Sequence, residues 1–214
     1  MLALALPALA AVPTDAAAQR VSVGLTAGGG LATFSTQDPE DRTEWRGAWS
    51  AGLYTGIALT DRFSLQPEVV YARKGARDEV VLESIDQTIQ RDYAAHYVEF
   101  PVLLRFSPRL DGPVSPYILA GPAPAYLLQA TNTAGDATPE DITDQLARFD
   151  MGAVIALGLA YPFGFGTAEL AARGGFSVTD IDRSGAPAPL GVAEVNRNRA
   201  VVVTAGFGIP LPWF

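Results

Sequence analysis

The sequence contains no cysteine, only one histidine, and no long uninterrupted apolar run beyond its N-terminus. No disulfide can contribute to its stability, and no cluster of His or Cys suits a zinc ion. A transmembrane helix needs about 18 or more consecutive apolar residues, so membrane-spanning helices are not predicted. Lys and Arg form no clustered stripe and the net charge is −8, which argues against a nucleic-acid partner.

The chain is nevertheless rich in apolar residues and in glycine. Hydrophobic residues make up 49% of its 214 residues, and 21 are Gly. This composition is too apolar for a disordered chain and too rich in glycine for a helix bundle. Apolar residues spread over short alternating segments are typical of a membrane β-barrel.

The first residues differ from the rest of the sequence. Residues 1–18 have an apolar core that ends in Ala16, Ala17 and Ala18, which fits a signal-peptidase site with small residues. We therefore predict a signal peptide over 1–18 and one barrel domain over 19–214. The alternative is an apolar N-terminal helix of the mature protein.

Apolar residues then recur at every second position, which is the periodicity of β-strands. For example, Phe149 and Met151 alternate with Arg148, Asp150 and Gly152. Eight such segments are predicted: 20–34, 46–60, 62–77, 89–107, 114–131, 146–161, 165–181 and 197–211. Most reach the ~9–11 residues that a tilted strand needs to cross a bilayer. One face is Leu, Val, Ile and Phe with Trp and Tyr near segment ends, as on a lipid-facing surface.

The connections alternate in length. Those near 60–62, 108–113 and 161–165 are short, whereas 35–45, 78–88, 132–145 and 182–196 are long and polar. Short periplasmic turns and long extracellular loops are typical of outer-membrane barrels. We therefore predict an all-β fold, an eight-stranded antiparallel up-and-down transmembrane β-barrel in the bacterial outer membrane. The soluble alternative is a lipocalin-like barrel with its apolar face inside.

The C-terminus supports this location. The last residue, Phe214, is an aromatic of the kind that ends many outer-membrane barrels. Pro210 and Pro212 cannot donate backbone hydrogen bonds to a ladder, so Phe214 is predicted to lie in a tail beyond the last strand.

Six charged residues fall on the face opposite the apolar one. They are predicted to form a structural inner polar network, because an unpaired buried charge is costly. These residues are Glu68, Glu99, Arg105, Asp150, Glu169 and Arg173. The functional alternative is a gated polar path or a proton-coupled site.

No catalytic, metal or cofactor site is predicted. The single histidine, His96, shares a face with Val98 and Phe100, and the next serine downstream is Ser107. This spacing does not fit a lipid-deacylase pattern. The acidic segments 38–44 and 139–144 are too irregular for a Ca²⁺ site and are interpreted as solvated loops. The run Gly28-Gly29-Gly30 is followed by no Lys-Ser/Thr, so it indicates strand glycines and no phosphate loop.

Two segments resemble a known family. Residues 97–106, YVEFPVLLRF, and residues 116–128, PYILAGPAPAYLL, resemble consecutive strands of the PorT-like outer-membrane β-barrel proteins. The resemblance extends over nearly the whole mature chain. It implies an eight-stranded up-and-down barrel, and a minority of such relatives are linked to secretion and gliding machinery.

The expected function is structural or one of surface interaction, without catalysis. The alternatives are an auxiliary component of a secretion or surface-assembly complex, a narrow pore for small solutes, and a lipid-modifying enzyme. The expected partners are outer-membrane lipid, the barrel assembly machinery during biogenesis, and an envelope or secretion protein. The barrel is expected to be a monomer.

Overall fold

The structure, a computed structural model, describes residues 21–35, 44–82, 87–179 and 197–212. The predicted signal peptide, most of the acidic segment 38–44, and Phe214 lie outside the described residues. Within those four ranges, no helix is long and apolar enough to cross a bilayer.

The described residues are almost entirely strand. The strands are β1 (Val21–Ser35), β2 (Arg46–Ala58), β3 (Phe63–Leu82), β4 (Gln87–Glu99), β5 (Val102–Phe106), β6 (Ser115–Ala134), β7 (Glu140–Asp141), β8 (Phe149–Phe163), β9 (Gly166–Ser177) and β10 (Arg197–Pro210). One short 3-10 turn, Thr143–Gln145, follows β7.

The sheet closes on itself. Each wall of the barrel pairs antiparallel with the next wall along the chain, and β10 pairs with β1 over a register from Ser22↔Pro210 to Ser35↔Arg197. β4 and β5 lie end to end between β3 and β6 and together form one wall, while the two-residue β7 only flanks β6. The result is the predicted eight-stranded antiparallel up-and-down barrel, which has no open edge.

The predicted fourth segment, 89–107, is broken in the structure. β4 ends at Glu99 and β5 begins at Val102. Pro101 has no backbone N–H to donate to the ladder. Its carbonyl still accepts from Glu68 N at 2.8 Å, and Phe100 N donates to the carbonyl of Pro124 at 2.8 Å. The wall therefore stays continuous across the break.

The two faces of the barrel differ in composition, as the alternation of apolar and polar residues predicts. The outer face is apolar and exposed along every wall, with residues such as Leu53, Val69, Ile155, Leu170 and Val203. Buried side chains on the inner face include small residues and the carboxylates Glu68, Glu99 and Asp150. This arrangement rules out the lipocalin-like alternative, because a soluble barrel would place its apolar face inside.

Two connections differ from the prediction of long loops. The hairpin between β3 and β4 continues its ladder through Asp78↔Arg91 to Leu82↔Gln87, where segment 78–88 was expected to be a loop. A hairpin outside the membrane can pair through its backbone without an apolar face. The alternation of apolar residues therefore could not predict this part of the ladder. β6 likewise continues to Ala134.

The connection from β6 to β8 folds back over the barrel. β7 pairs with β6 through Thr131↔Asp141. The side chains of Ile142 and Leu146 are buried in one apolar cluster with Phe34, Tyr93 and residues of neighbouring strands. This connection, expected to be a solvated loop, therefore covers the long-loop end of the lumen.

Candidate functional site

The lumen is the candidate site, and its first feature is a chain of ion pairs in the half near the short turns. Arg173 Nη2 lies 2.6 Å from Glu68 Oε2, and Arg105 Nη1 lies 2.6 Å from Glu169 Oε1. Gln66 joins the two pairs: its Nε2 donates to Glu68 Oε1 at 2.8 Å, and its Oε1 accepts from Arg105 Nη1 at 3.4 Å. Charges from three walls are thus connected across the barrel.

Two tyrosines close the lumen around these pairs. The Tyr54 hydroxyl donates to Glu169 Oε2 at 3.3 Å, and the Arg105 guanidinium lies 3.8 Å from the centre of the Tyr117 ring. Glycines leave room for both rings. A Cβ added to Gly24 would lie 2.3 Å from Tyr54 Cζ, and one added to Gly158 would lie 2.3 Å from Tyr117 Cζ. The rings therefore occupy the space that glycine leaves beside the neighbouring strands.

A second polar group lies farther towards the long loops and centres on Asp150. The hydroxyls of Ser177 and Thr179 donate to its carboxylate at 2.5 and 2.8 Å. Asn198 Nδ2 is placed 3.3 Å from the same carboxylate and 3.1 Å from the hydroxyl of Tyr97. The buried carboxylate is thus held by neutral donors from β9, from β10 and from Thr179, two residues beyond β9.

Glu99 has a separate partner, Lys74. Their side chains form an ion pair in which Glu99 Oε1 lacks the alignment of a directed hydrogen bond. Lys74 Nζ also lies 5.7 Å from the centre of the Tyr97 ring. A lysine between an acid and an aromatic ring is held both by charge and by the ring quadrupole.

Between the two polar groups lies a cavity of about 60 Å³. Charged and small residues line it, among them Lys74, Glu99, Asp150, Arg173 and Ser50. At about 30 Å³ per liquid water, this volume corresponds to about two waters. The described part of the lumen is therefore filled by side chains.

All six predicted inner residues face the lumen, but they do not meet as one cluster. Glu68, Arg105, Glu169 and Arg173 are connected, whereas Glu99 and Asp150 belong to separate groups. Sequence reasoning missed the three partners Gln66, Lys74 and Asn198. Gln66 and Lys74 share one face of β3 with Glu68, because they lie at every second position along the strand. The alternation could therefore have identified both as partners.

His96 lies on the outer wall and away from the lumen. Its Nδ1 is 2.6 Å from the Tyr71 hydroxyl, and Tyr71 in turn contacts Trp49 with ring centres 5.3 Å apart. Ser107 instead contacts Arg105 Nε at 3.4 Å, on the network near the short turns. In the described parts of the chain, no three His, Cys, Asp or Glu side chains are grouped to hold a metal ion.

The cover over the lumen has its own polar anchor. The Asp141 carboxylate accepts from Thr143 N at 2.8 Å and from the Thr143 hydroxyl, which also bonds the backbone of Ala130. These hydrogen bonds to the charged form hold the pKa of Asp141 below its ordinary value. They fix the 3-10 turn against β6.

Comparison with known proteins agrees with this architecture. A family model described as outer membrane protein beta-barrel domain matches residues 14–189. The crystal structure of Neisserial surface protein A superposes with a TM-score of 0.52 at 14% identity, covering 88% of this chain and 96% of that one. OprG from Pseudomonas aeruginosa gives 0.42 at 16% identity over 88% and 95%. No match was found among curated proteins.

Proposed function

The chain belongs to the outer membrane protein beta-barrel domain family, and from that premise we propose that it is a closed, non-conducting barrel that presents a surface to an envelope partner. It is an outer-membrane protein, so its long-loop end faces the cell exterior and its short turns face the periplasm.

The filled lumen is the observation that carries the proposal. Two polar groups and the cover formed by Ile142 and Leu146 follow one another along the axis, and the cavity between the polar groups is only about 60 Å³. Moving a solute through would require breaking ion pairs that are largely shielded from water. A buried pair that loses a partner costs about 3–5 kcal/mol, so spontaneous opening is disfavoured.

The parts of the strands that extend beyond the membrane support a role in binding a partner at the cell surface. β3 and β6 each contain 20 residues, about twice the ~9–11 needed to cross a bilayer. With β4 between them, these strands form an extended sheet that continues past the shorter β2, β8 and β9. We call this extension the raised sheet, residues 74–82, 87–95 and 129–134. It is a paired surface of the kind that a protein partner can bind.

The class of partner follows from the resemblance to PorT-like barrels over residues 97–106 and 116–128. An envelope or secretion assembly is the partner we propose. No catalytic role is proposed, because His96 and Ser107 lie on different surfaces of the barrel.

Conductance in planar bilayers tests the closed lumen. The purified barrel is expected to give no steady open steps at potentials that it survives. The Ile142→Ala/Leu146→Ala variant, which loosens only the cover, is expected to remain closed because both polar groups persist below it. Steady channels in the unmodified protein would overturn the proposal and favour the narrow pore.

Crosslinking of intact cells followed by mass spectrometry tests the surface role. The raised sheet can be shortened by joining Arg77 to Asp92, which already face each other in the ladder, through an Asn-Gly turn. The proposal expects an envelope partner with the unmodified protein and its loss with the shortened one. The control variant shortens the periplasmic connection 108–113. Partner capture that is unchanged by shortening the raised sheet would contradict this role.

A further inference from the structure

Three arginines converge on the outer wall of the barrel at the base of the raised sheet. Arg46, Arg73 and Arg77 line one surface groove of about 520 Å³, and Arg91, Thr131 and Thr133 also line it. The charges of Arg73 and Arg77 both act on Arg46. Such a concentration of positive charge is unexpected on a chain whose net charge is −8.

These guanidinium groups are not fully used within the described residues. The Arg46 side chain is only 9% exposed; its Nε lies 2.5 Å from Asp92 Oδ1, and its Nη1 is buried without a hydrogen-bond partner. Arg73 Nε is likewise buried without one. Arg77 Nε reaches the same Asp92 at 3.4 Å, so Arg46 and Arg77 share one carboxylate. Asp136 also lines the groove, but it is exposed. Buried polar groups normally have a partner, so donors are left for an anion.

Local backbone geometry builds this cluster. A Cβ added to Gly75 would lie 3.2 Å from Arg46 Cδ and 1.9 Å from the Tyr93 carbonyl. Gly75 also has φ +154°, a conformation that L side chains rarely adopt. The glycine therefore allows the Arg46 stem to lie close against the sheet and reach Asp92.

The height of Arg73 places it at the lipid headgroups. It is paired in register between Trp49 and His96, one outward-facing position beyond Tyr71 on the same strand. From Phe63, at the periplasmic end of the same strand, ten residues rise about 33 Å along the strand, or about 25 Å along the normal at a tilt near 40°. The apolar band of such barrels is also about 25 Å tall.

We propose that Arg46, Arg73 and Arg77 bind a phosphate group of an outer-leaflet lipid. Arginine suits this ligand because its planar guanidinium donates two parallel hydrogen bonds to phosphate oxygens. In this arrangement the lipid's acyl chains would lie along the exposed side chains of Leu53 and Val69, while its headgroup would reach the arginines. The site uses none of the lumen ion pairs, and it lies at the base of the raised sheet.

Retention of lipid A by the purified barrel in zwitterionic phosphatidylcholine nanodiscs tests the proposal. Native mass spectrometry measures how much bis-phosphorylated lipid A stays bound after washing, against dephosphorylated lipid A. The test variant is Arg73→Gln/Arg77→Gln, which spares the more deeply buried Arg46. The control is Arg109→Gln, an exposed arginine paired with Asp61 at the periplasmic turns. Heat-modifiable gel mobility confirms that each variant folds.

The phosphorylated lipid is expected to be retained by the unmodified barrel and by the Arg109 variant. Retention should fall about tenfold or more in the double variant, because charge-assisted hydrogen bonds are lost. Equal retention of dephosphorylated lipid A, or undiminished retention by the folded double variant, would overturn the proposal. Inorganic phosphate at the same concentration should leave the lipid bound; complete displacement would instead indicate a free-anion site and refute the lipid assignment.

Discussion

At the scale of single residues, the charged side chains of the lumen occur with partners on other strands. Arg105 on β5 contacts Glu169 on β9, and Glu68 on β3 contacts Arg173 on β9. Because these pairs are shielded from water, removing one member leaves the other unpaired at high cost. The pairs therefore fix which walls face one another and keep the interior closed.

Arg105→Ala is expected to lower the free energy of unfolding by about 3–5 kcal/mol. The change leaves Glu169 without its ion partner and removes the guanidinium from the face of Tyr117. The temperature at which the heat-modifiable gel band shifts measures this loss. Arg109→Ala is the matched control, because Arg109 and Asp61 are exposed and such pairs contribute about 0–1 kcal/mol. Equal shifts for the two variants would show that the inner ion pair stabilises the barrel no more than the exposed pair does.

Gly158→Ala is expected to destabilise the barrel by about 1–3 kcal/mol. The added methyl would lie 2.3 Å from Tyr117 Cζ, so the ring must move away from Arg105. Gly47→Ala serves as control, since nothing lies within 4 Å of a Cβ at that position. Denaturant titration of both variants in detergent measures the difference. If Gly158→Ala leaves the free energy of unfolding unchanged, the Tyr117 ring can move into another space without loss of stability.

At the scale of elements, the connection between β6 and β8 acts as a cover. Its two buried side chains, Ile142 and Leu146, are held over the lumen by the hydrogen bonds between Asp141 and Thr143. Alternation predicted only a solvated acidic loop at 139–144. The apolar residues that cover the lumen are two residues within a polar stretch, too few to produce a periodic signal.

The anchor of this cover is expected to depend on pH. The pKa of Asp141 is lowered by its hydrogen bonds with Thr143, so these bonds stabilise the folded cover above the ordinary carboxyl pKa of about 3.9. Their contribution is lost as the pH falls through the lowered pKa of the folded state. The Thr143 amide resonance should therefore titrate with a midpoint below 3.9, and Asp141→Asn should abolish that titration. A midpoint at or above 3.9 would contradict the assigned hydrogen bonds.

At the scale of the whole molecule, the bilayer determines which residues are exposed. Leu157 on β8 is 62% exposed and Phe149 at the end of the same strand is 56% exposed. In water these positions would tolerate charge almost equally. In a membrane barrel they lie at different depths, because Leu157 is near the middle of the strand and Phe149 is at its outer end.

Leu157→Arg is therefore expected to cost about 2–4 kcal/mol and Phe149→Arg only about 0–1 kcal/mol. The difference arises because an arginine near the midplane must be buried in hydrocarbon, whereas one at the interface stays hydrated. Unfolding titrations in lipid vesicles measure both values. Similar costs for the two variants would contradict the placement of β8 across the bilayer.

The sequence by itself determined the number of walls, the face each wall turns to lipid and the short periplasmic turns. These properties are local, because a strand places successive side chains on opposite faces whatever its neighbours are. Only the tertiary structure decided that Lys74 pairs with Glu99, that Gln66 joins two ion pairs, and that Arg46 meets Asp92. Those contacts join residues that are distant in the chain, and barrel closure and strand register set which of them meet.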